Sequence, residues 1–143
     1  MTKKFTSLLF TLGLTAFAFS AQPLLAGAKT KSDHPERIAY GQEVDIASYL
    51  VPGKTVVFDF TSEYCPPCRA ISPSLDKLHA NRDDVVVVKV DINRAGHKGI
   101  DWKSPVAVQY GMRSIPHFKV YGPDGKLVSE GRPARAMVTA WFE

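Results

Sequence analysis

The sequence predicts an α/β fold with a central mixed β-sheet flanked by helices, and three observations predict it. Val56-Val57-Phe58-Asp59-Phe60 is an apolar run of strand length that ends just ahead of Cys65-Pro66-Pro67-Cys68. Val85 to Val90 is a nearly unbroken β-branched run, the pattern of a strand buried on both faces. A helical stretch from Pro66 joins the two, and strand, helix, strand in that order gives a βαβ unit with parallel strands. Further on, Pro123-Asp124-Gly125 turns Phe118-Lys119-Val120-Tyr121 back onto Leu127-Val128-Ser129, which adds an antiparallel hairpin to the sheet.

Each element can be justified in chain order. Lys3 and Lys4 precede an uncharged, mostly apolar stretch from Phe5 to Phe19, then Pro23 and the small residues Ala26-Gly27-Ala28. That is the layout of a secretory signal peptide over residues 1–28, with the mature chain starting near Lys29. The apolar stretch is shorter than the roughly 20 residues of a membrane span, although an uncleaved anchor stays open. Residues 29–54 form an N-terminal segment. Lys29 to Arg37 reads as a loose polar stretch, Asp45 caps a short helix to Leu50, and Val51-Pro52-Gly53-Lys54 makes a turn. The main domain covers residues 55–143. Its first strand is Thr55 to Phe60, and its first helix runs from Pro66 past Leu75, Leu78 and His79 with Pro73 inside it, where a backbone hydrogen bond is lost. Asn81 to Asp84 turns into the valine strand. A long Gly-rich and charged connection, with Gly96 to Pro105 as an extra loop, leads to a short helix over Val106 to Gly111. Pro133 to Phe142 closes the chain as a helix burying Ala136, Val138, Ala140 and Trp141.

Composition limits the function classes. A chain of 143 residues suffices for one domain, and 45% apolar with 22% charged residues is ordinary for a globular protein. The net charge of +4 includes Lys3 and Lys4, and no basic cluster is interleaved with aromatics, so nucleic-acid binding has no support.

The only two cysteines, Cys65 and Cys68, stand where a strand hands over to a helix. Pro66 and Pro67 suit the first helical turn, where missing N–H groups matter least. Pro66 also biases Cys65 toward the extended backbone of an N-cap. A thiolate there is stabilised by the helix dipole, as a redox nucleophile requires. A structural disulfide across so short a loop would add little. A zinc site lacks a second ligand pair.

The order of elements resembles the thioredoxin fold. Tyr64-Cys65-Pro66-Pro67-Cys68-Arg69 is similar to that family's Trp-Cys-Gly-Pro-Cys-Lys site, with Tyr64 in place of Trp and Pro66 in place of Gly. Asp59 matches the carboxylate beneath the disulfide, Pro73 the helix proline, Tyr110 to Pro116 the segment with a cis-proline, and Gly131 a glycine before the last helix. The resemblance implies a thiol–disulfide oxidoreductase. Cys65 would attack, Cys68 resolve and Asp59 accept a proton, its apolar strand raising its pKa. Tyr64, Pro66, Pro67, Ile115 and Pro116 would meet the substrate. Lys89 either pairs with Asp59 across neighbouring strands or is solvated at a strand end. Trp102 is a partner contact or a cover for the local core, and His34, His79 and His97 are expected at the surface.

Export places the cysteines in an oxidising compartment, most simply a bacterial periplasm. The expected function is reduction of disulfides in periplasmic proteins by a monomer, supplied with electrons by a membrane thiol donor and needing no cofactor or metal. The alternative is a copper-binding chaperone of the same fold that uses Cys65, Cys68 and His117.

Overall fold

The computed structural model describes residues 29–142, so the expected leader over 1–28 lies outside the described residues. A five-stranded sheet forms the centre, built from β1 (Glu36–Ile38), β2 (Thr55–Thr61), β3 (Val85–Asp91), β4 (His117–Tyr121) and β5 (Leu127–Glu130). The helices are α1 (Pro66–Asn81), α2 (Pro105–Gln109) and α3 (Arg132–Thr139), and a 3-10 turn covers Ile46–Tyr49. The sheet order is β1-β3-β2-β4-β5. The pairs β1–β3 and β2–β3 are parallel, and β2–β4 and β4–β5 are antiparallel, as the expected mixed sheet requires.

Alternation along the strands splits the apolar residues between two cores. Val56, Phe58, Phe60, Val86, Val88 and Val90 pack with Ile38, Ile92, Val106 and Met112 on one face. Val57, Val85, Val87, Phe118 and Val120 meet Leu75 and Leu78 of α1 and Ala134 and Val138 of α3 on the other. Asp59 and Lys89 lie opposite each other in the β2–β3 register and, by the same alternation, on the α1 side. The carboxyl ends of β2 and β3 and the first turn of α1 share one pole of the molecule, and that is where the cysteines sit.

Several local expectations are corrected. The polar stretch ahead of residue 38 is not loose, since Glu36–Ile38 adds the edge strand β1 to β3 and buries Ile38. His79 is fully buried rather than at the surface. The Val87 N–H donates to its Nδ1 at 3.0 Å, and its Nε2 lies 2.8 Å from the Ser32 carbonyl. Nδ1 therefore carries no proton, and Nε2–H donates to Ser32. Lys31 Nζ adds bonds to the carbonyls of His79 and Arg82 at the end of α1, where a cation complements the helix dipole. The last helix begins at Arg132 and buries Ala134 and Val138, while Ala136 and Ala140 face solvent and Trp141 is half-buried. With Val138 as one contact, the residue four positions earlier shares its face, not the one two earlier.

Candidate functional site

Cys65 is the N-cap of α1, with extended backbone at φ −104° and ψ 104°. Pro66 and Pro67 occupy the next two positions and bring no N–H, so the first free donor of the helix is Cys68. Its N–H points at the Cys65 sulfur, 3.2 Å away. The two sulfurs are joined as a disulfide. Both residues are buried in this oxidised form, at 2% and 1% exposure, so exposure does not tell them apart. What distinguishes them is position. Cys65 receives the amide at the helix terminus, and Cys68 lies inside the first turn.

Around the disulfide, Tyr64, Pro66 and Pro67 are exposed, Ile115 is half-buried and Pro116 is buried. The Ile115–Pro116 peptide bond is cis, and the Ile115 carbonyl lies 3.7 Å from the Cys65 sulfur. The fold thus brings Tyr64, Pro66, Pro67, Ile115 and Pro116 together about one sulfur from two chain segments 50 residues apart.

Asp59 is completely buried, and neither carboxylate oxygen has a hydrogen-bond partner. Desolvation pushes its pKa up to about 7, opposed by the charges of Lys89 and Arg37 and reinforced by that of Asp76. Neither alternative for Lys89 holds: the pair with Asp59 does not form, and the side chain is buried rather than solvated. Lys89 Nζ instead donates to Ser72 Oγ at 2.7 Å and pairs with Asp76 on α1. Asp76 is half-exposed, so the ammonium stays near water rather than entering the apolar layer with a second charge. Asp59 is left as a buried carboxyl that can be neutral or charged near pH 7.

His117, directly after Pro116, does not turn to the sulfurs in a ligand cluster. Its Nε2 lies 3.2 Å from Glu130, and its ring stacks edge-on against Phe60 at 6.0 Å. Lys119 binds the same Glu130 carboxylate at 2.7 Å, and its hydrogen bond is the main reason Glu130 titrates below the usual range. Among the described residues, no three His, Cys, Asp or Glu side chains gather to hold a metal ion.

The extra loop is better built than its composition suggests. Asp101 is buried, and Arg94 holds it with Nε at 2.7 Å and Nη2 at 3.1 Å, which keeps its carboxyl below the usual range. Asn93 accepts from Ser62 Oγ at 2.6 Å and from the Asp101 N–H, and donates to the Gly99 carbonyl. Ser62 in turn accepts from the Tyr64 N–H, and its carbonyl accepts from the Cys65 N–H. A short chain of hydrogen bonds therefore ties the loop to the approach to Cys65. Sequence reasoning missed Ser62, Asn93 and Asp101, since lone polar residues 31 and 8 positions apart carry no periodic signal.

The thioredoxin family model matches residues 40–140. Thioredoxin from Streptomyces clavuligerus is 33% identical over 94 residues, 64% of this chain and 80% of that protein. Thioredoxin-T from Drosophila melanogaster is 36% identical over 77 residues, 53% of this chain but only 44% of its own length. Among solved structures, thioredoxin f2 from Chlamydomonas reinhardtii superposes with a TM-score of 0.53 at 25% identity, covering 74% of this chain and 92% of its own. The short form of spinach chloroplast thioredoxin f shares the fold, with a TM-score of 0.51 at 23% identity over 80% of this chain and 99% of its own. With a family match across most of the chain, and a cysteine pair closing the first turn of a helix behind a buried strand, this chain belongs to the thioredoxin family of thiol–disulfide oxidoreductases.

Proposed function

We propose that this protein is an exported protein-disulfide reductase in which Cys65 attacks and Cys68 resolves. The observation that carries the reading is the Cys65 sulfur at the α1 N-cap, facing the Cys68 amide on one side and the Ile115 carbonyl on the other. That amide and the helix dipole favour a thiolate at Cys65 over one at Cys68. In the reduced protein the Cys65 thiolate attacks one sulfur of a substrate disulfide. The S–S bond breaks, the first substrate thiolate leaves, and a mixed disulfide forms. Cys68 gives its proton to the Asp59 carboxylate and attacks the Cys65 sulfur, which expels the second substrate thiolate. The substrate gains two electrons, the protein closes Cys65–Cys68, and the departing thiolates take protons from water.

Asp59 suits its part because it is buried, unpartnered and poised near pH 7, which lets it take and return a proton. Tyr64, Pro66, Pro67, Ile115 and Pro116 form the face that meets the substrate, with the Ile115 backbone offering strand-like contacts. The leader over residues 1–28, removed near Lys29, sends the protein to the periplasm. There it works as a monomer and is recharged by a membrane thiol donor.

The two cysteine variants test this reading. C65S should abolish reduction of a protein disulfide such as insulin, and C68S should accumulate mixed disulfides that nonreducing gels and mass spectrometry resolve. Equal trapping by both would overturn the assignment of the nucleophile.

A further inference from the structure

Among the described residues, both poles of the sheet carry cations without an ion pair, but more of them gather at the redox pole. At the pole far from the disulfide, Arg82 pairs with Asp84 at 2.6 Å and Lys126 with Asp124 at 3.5 Å, and Asp83 stands beside them. Of the three cations there without an ion pair, Lys31, Lys54 and Lys77, the first two donate to backbone carbonyls. At the redox pole, Arg94–Asp101 and Lys119–Glu130 are paired as well. Beyond those pairs, Arg69, Lys98, Lys103, Arg113, Arg132 and Arg135 are all exposed, and none forms an ion pair among the described residues. Among the described residues at this pole, exposed Glu43 and Glu63 and buried Asp59 form no ion pair, so the six cations outnumber these acids.

Two of these cations, Arg132 and Arg135, line a pocket of about 240 Å³ together with Gly131 and the segment Ser114–His117. One wall is Ile115–Pro116, the segment whose carbonyl approaches the Cys65 sulfur. Gly131 has φ 70° and no Cβ, and the space a side chain would take there opens toward His117. The nearby carboxylate, Glu130, is already engaged by Lys119 and His117, which leaves Arg132 and Arg135 uncompensated. Across the disulfide, the hydrogen-bonded loop holds Lys98 and Lys103 on either side of exposed Trp102.

We propose that this pole selects disulfides flanked by acidic residues. A carboxylate of the partner protein enters the Arg132–Arg135 pocket while the partner's cysteine segment lies along Ile115. The inference rests on the disulfide-reductase reading above and names its substrate class. Guanidinium groups fit carboxylates in a forked geometry, and surplus cations around the sulfur would speed encounter with an acidic partner. A protein segment explains the site better than a lipid surface does. The pocket is concave, side-chain sized and beside the reacting sulfur, whereas a bilayer would cover that sulfur.

Two synthetic peptides test the proposal, each with one internal disulfide and identical except for Asp or Asn beside the cysteines. The full chain in its dithiol form should reduce the Asp peptide on the order of tenfold faster at about 20 mM salt, with the preference shrinking toward unity near about 0.5 M. The double variant R132Q/R135Q, verified as folded by its melting temperature, should lose most of that preference at low salt. Equal rates for the two peptides, or a preference that neither salt nor the double variant diminishes, would overturn the proposal alone. Reduction of neither peptide would overturn the reductase reading and the proposal with it. Binding to phosphatidylglycerol vesicles that R132Q/R135Q abolishes, without a peptide preference, would assign the pole to a membrane surface and overturn it too.

Discussion

Asp59 concentrates the conflict between stability and chemistry in one side chain. Its carboxyl titrates near 3.8 in the unfolded chain and at about 7 in the folded one. Because the folded value is raised, the native state holds its proton more tightly than the unfolded state. The ionised form therefore destabilises the fold progressively as pH rises from about 4 to about 7, and no penalty exists below that window. A rise of this size corresponds to on the order of 4 kcal/mol when complete. D59N should accordingly melt at higher temperature than the parent at pH 8, and the gain should vanish near pH 4. The same variant should reduce disulfides more slowly at pH 7, because Cys68 loses its proton acceptor. Equal melting temperatures at both pH values would show that burial of Asp59 carries no charge penalty. This residue was legible in the sequence, since a lone acid among Val57, Phe58 and Phe60 has little route to water. Lys89 was legible only in part. Its strand position follows from the valine run, but its choice of Asp76 over Asp59 depends on how α1 crosses the sheet. His79 was not legible, because an imidazole at the end of an amphipathic helix reads as polar surface unless its two backbone partners are known. H79A would strand the Val87 N–H and open a cavity, a loss of roughly 2–4 kcal/mol, read directly from thermal or urea melts.

The elements announced in the sequence are those with a strong period or a hard stop. β2 and β3 are apolar in most of their positions, interrupted inside by Asp59 and Lys89, α1 starts at paired prolines, and the β4–β5 turn is marked by Pro123-Asp124-Gly125. β1 gave no such signal. It is three residues long, only Ile38 is buried, and its partner Val90 is far along the chain. Its contribution is nonetheless large in kind, because it covers one edge of a strand made almost wholly of valine. An uncovered edge of that type pairs readily with other chains. A protein beginning at residue 40 would retain the family-matched region but lose β1 and the Lys31 and Ser32 contacts to α1. It should melt lower and elute as oligomers in size-exclusion chromatography. A monomer of unchanged melting temperature would mean that β3 needs no cover.

For the molecule as a whole, the sheet separates a core under α1 and α3 from one under α2, and the disulfide sits at the pole where loops from both layers meet. The uneven charge between poles was invisible in the net value of +4, since it depends on which loops the topology gathers. The placement of the chain's entrance has a practical meaning. α1 is 16 residues long, so its two ends stand about 24 Å apart. Lys31 is fastened to the carbonyls at its final turn, opposite the cysteines. Whatever is attached ahead of residue 29, whether an affinity handle, a fluorophore or a solid support, therefore hangs from the back of the protein. Its working face looks outward, like a lamp carried on a bracket.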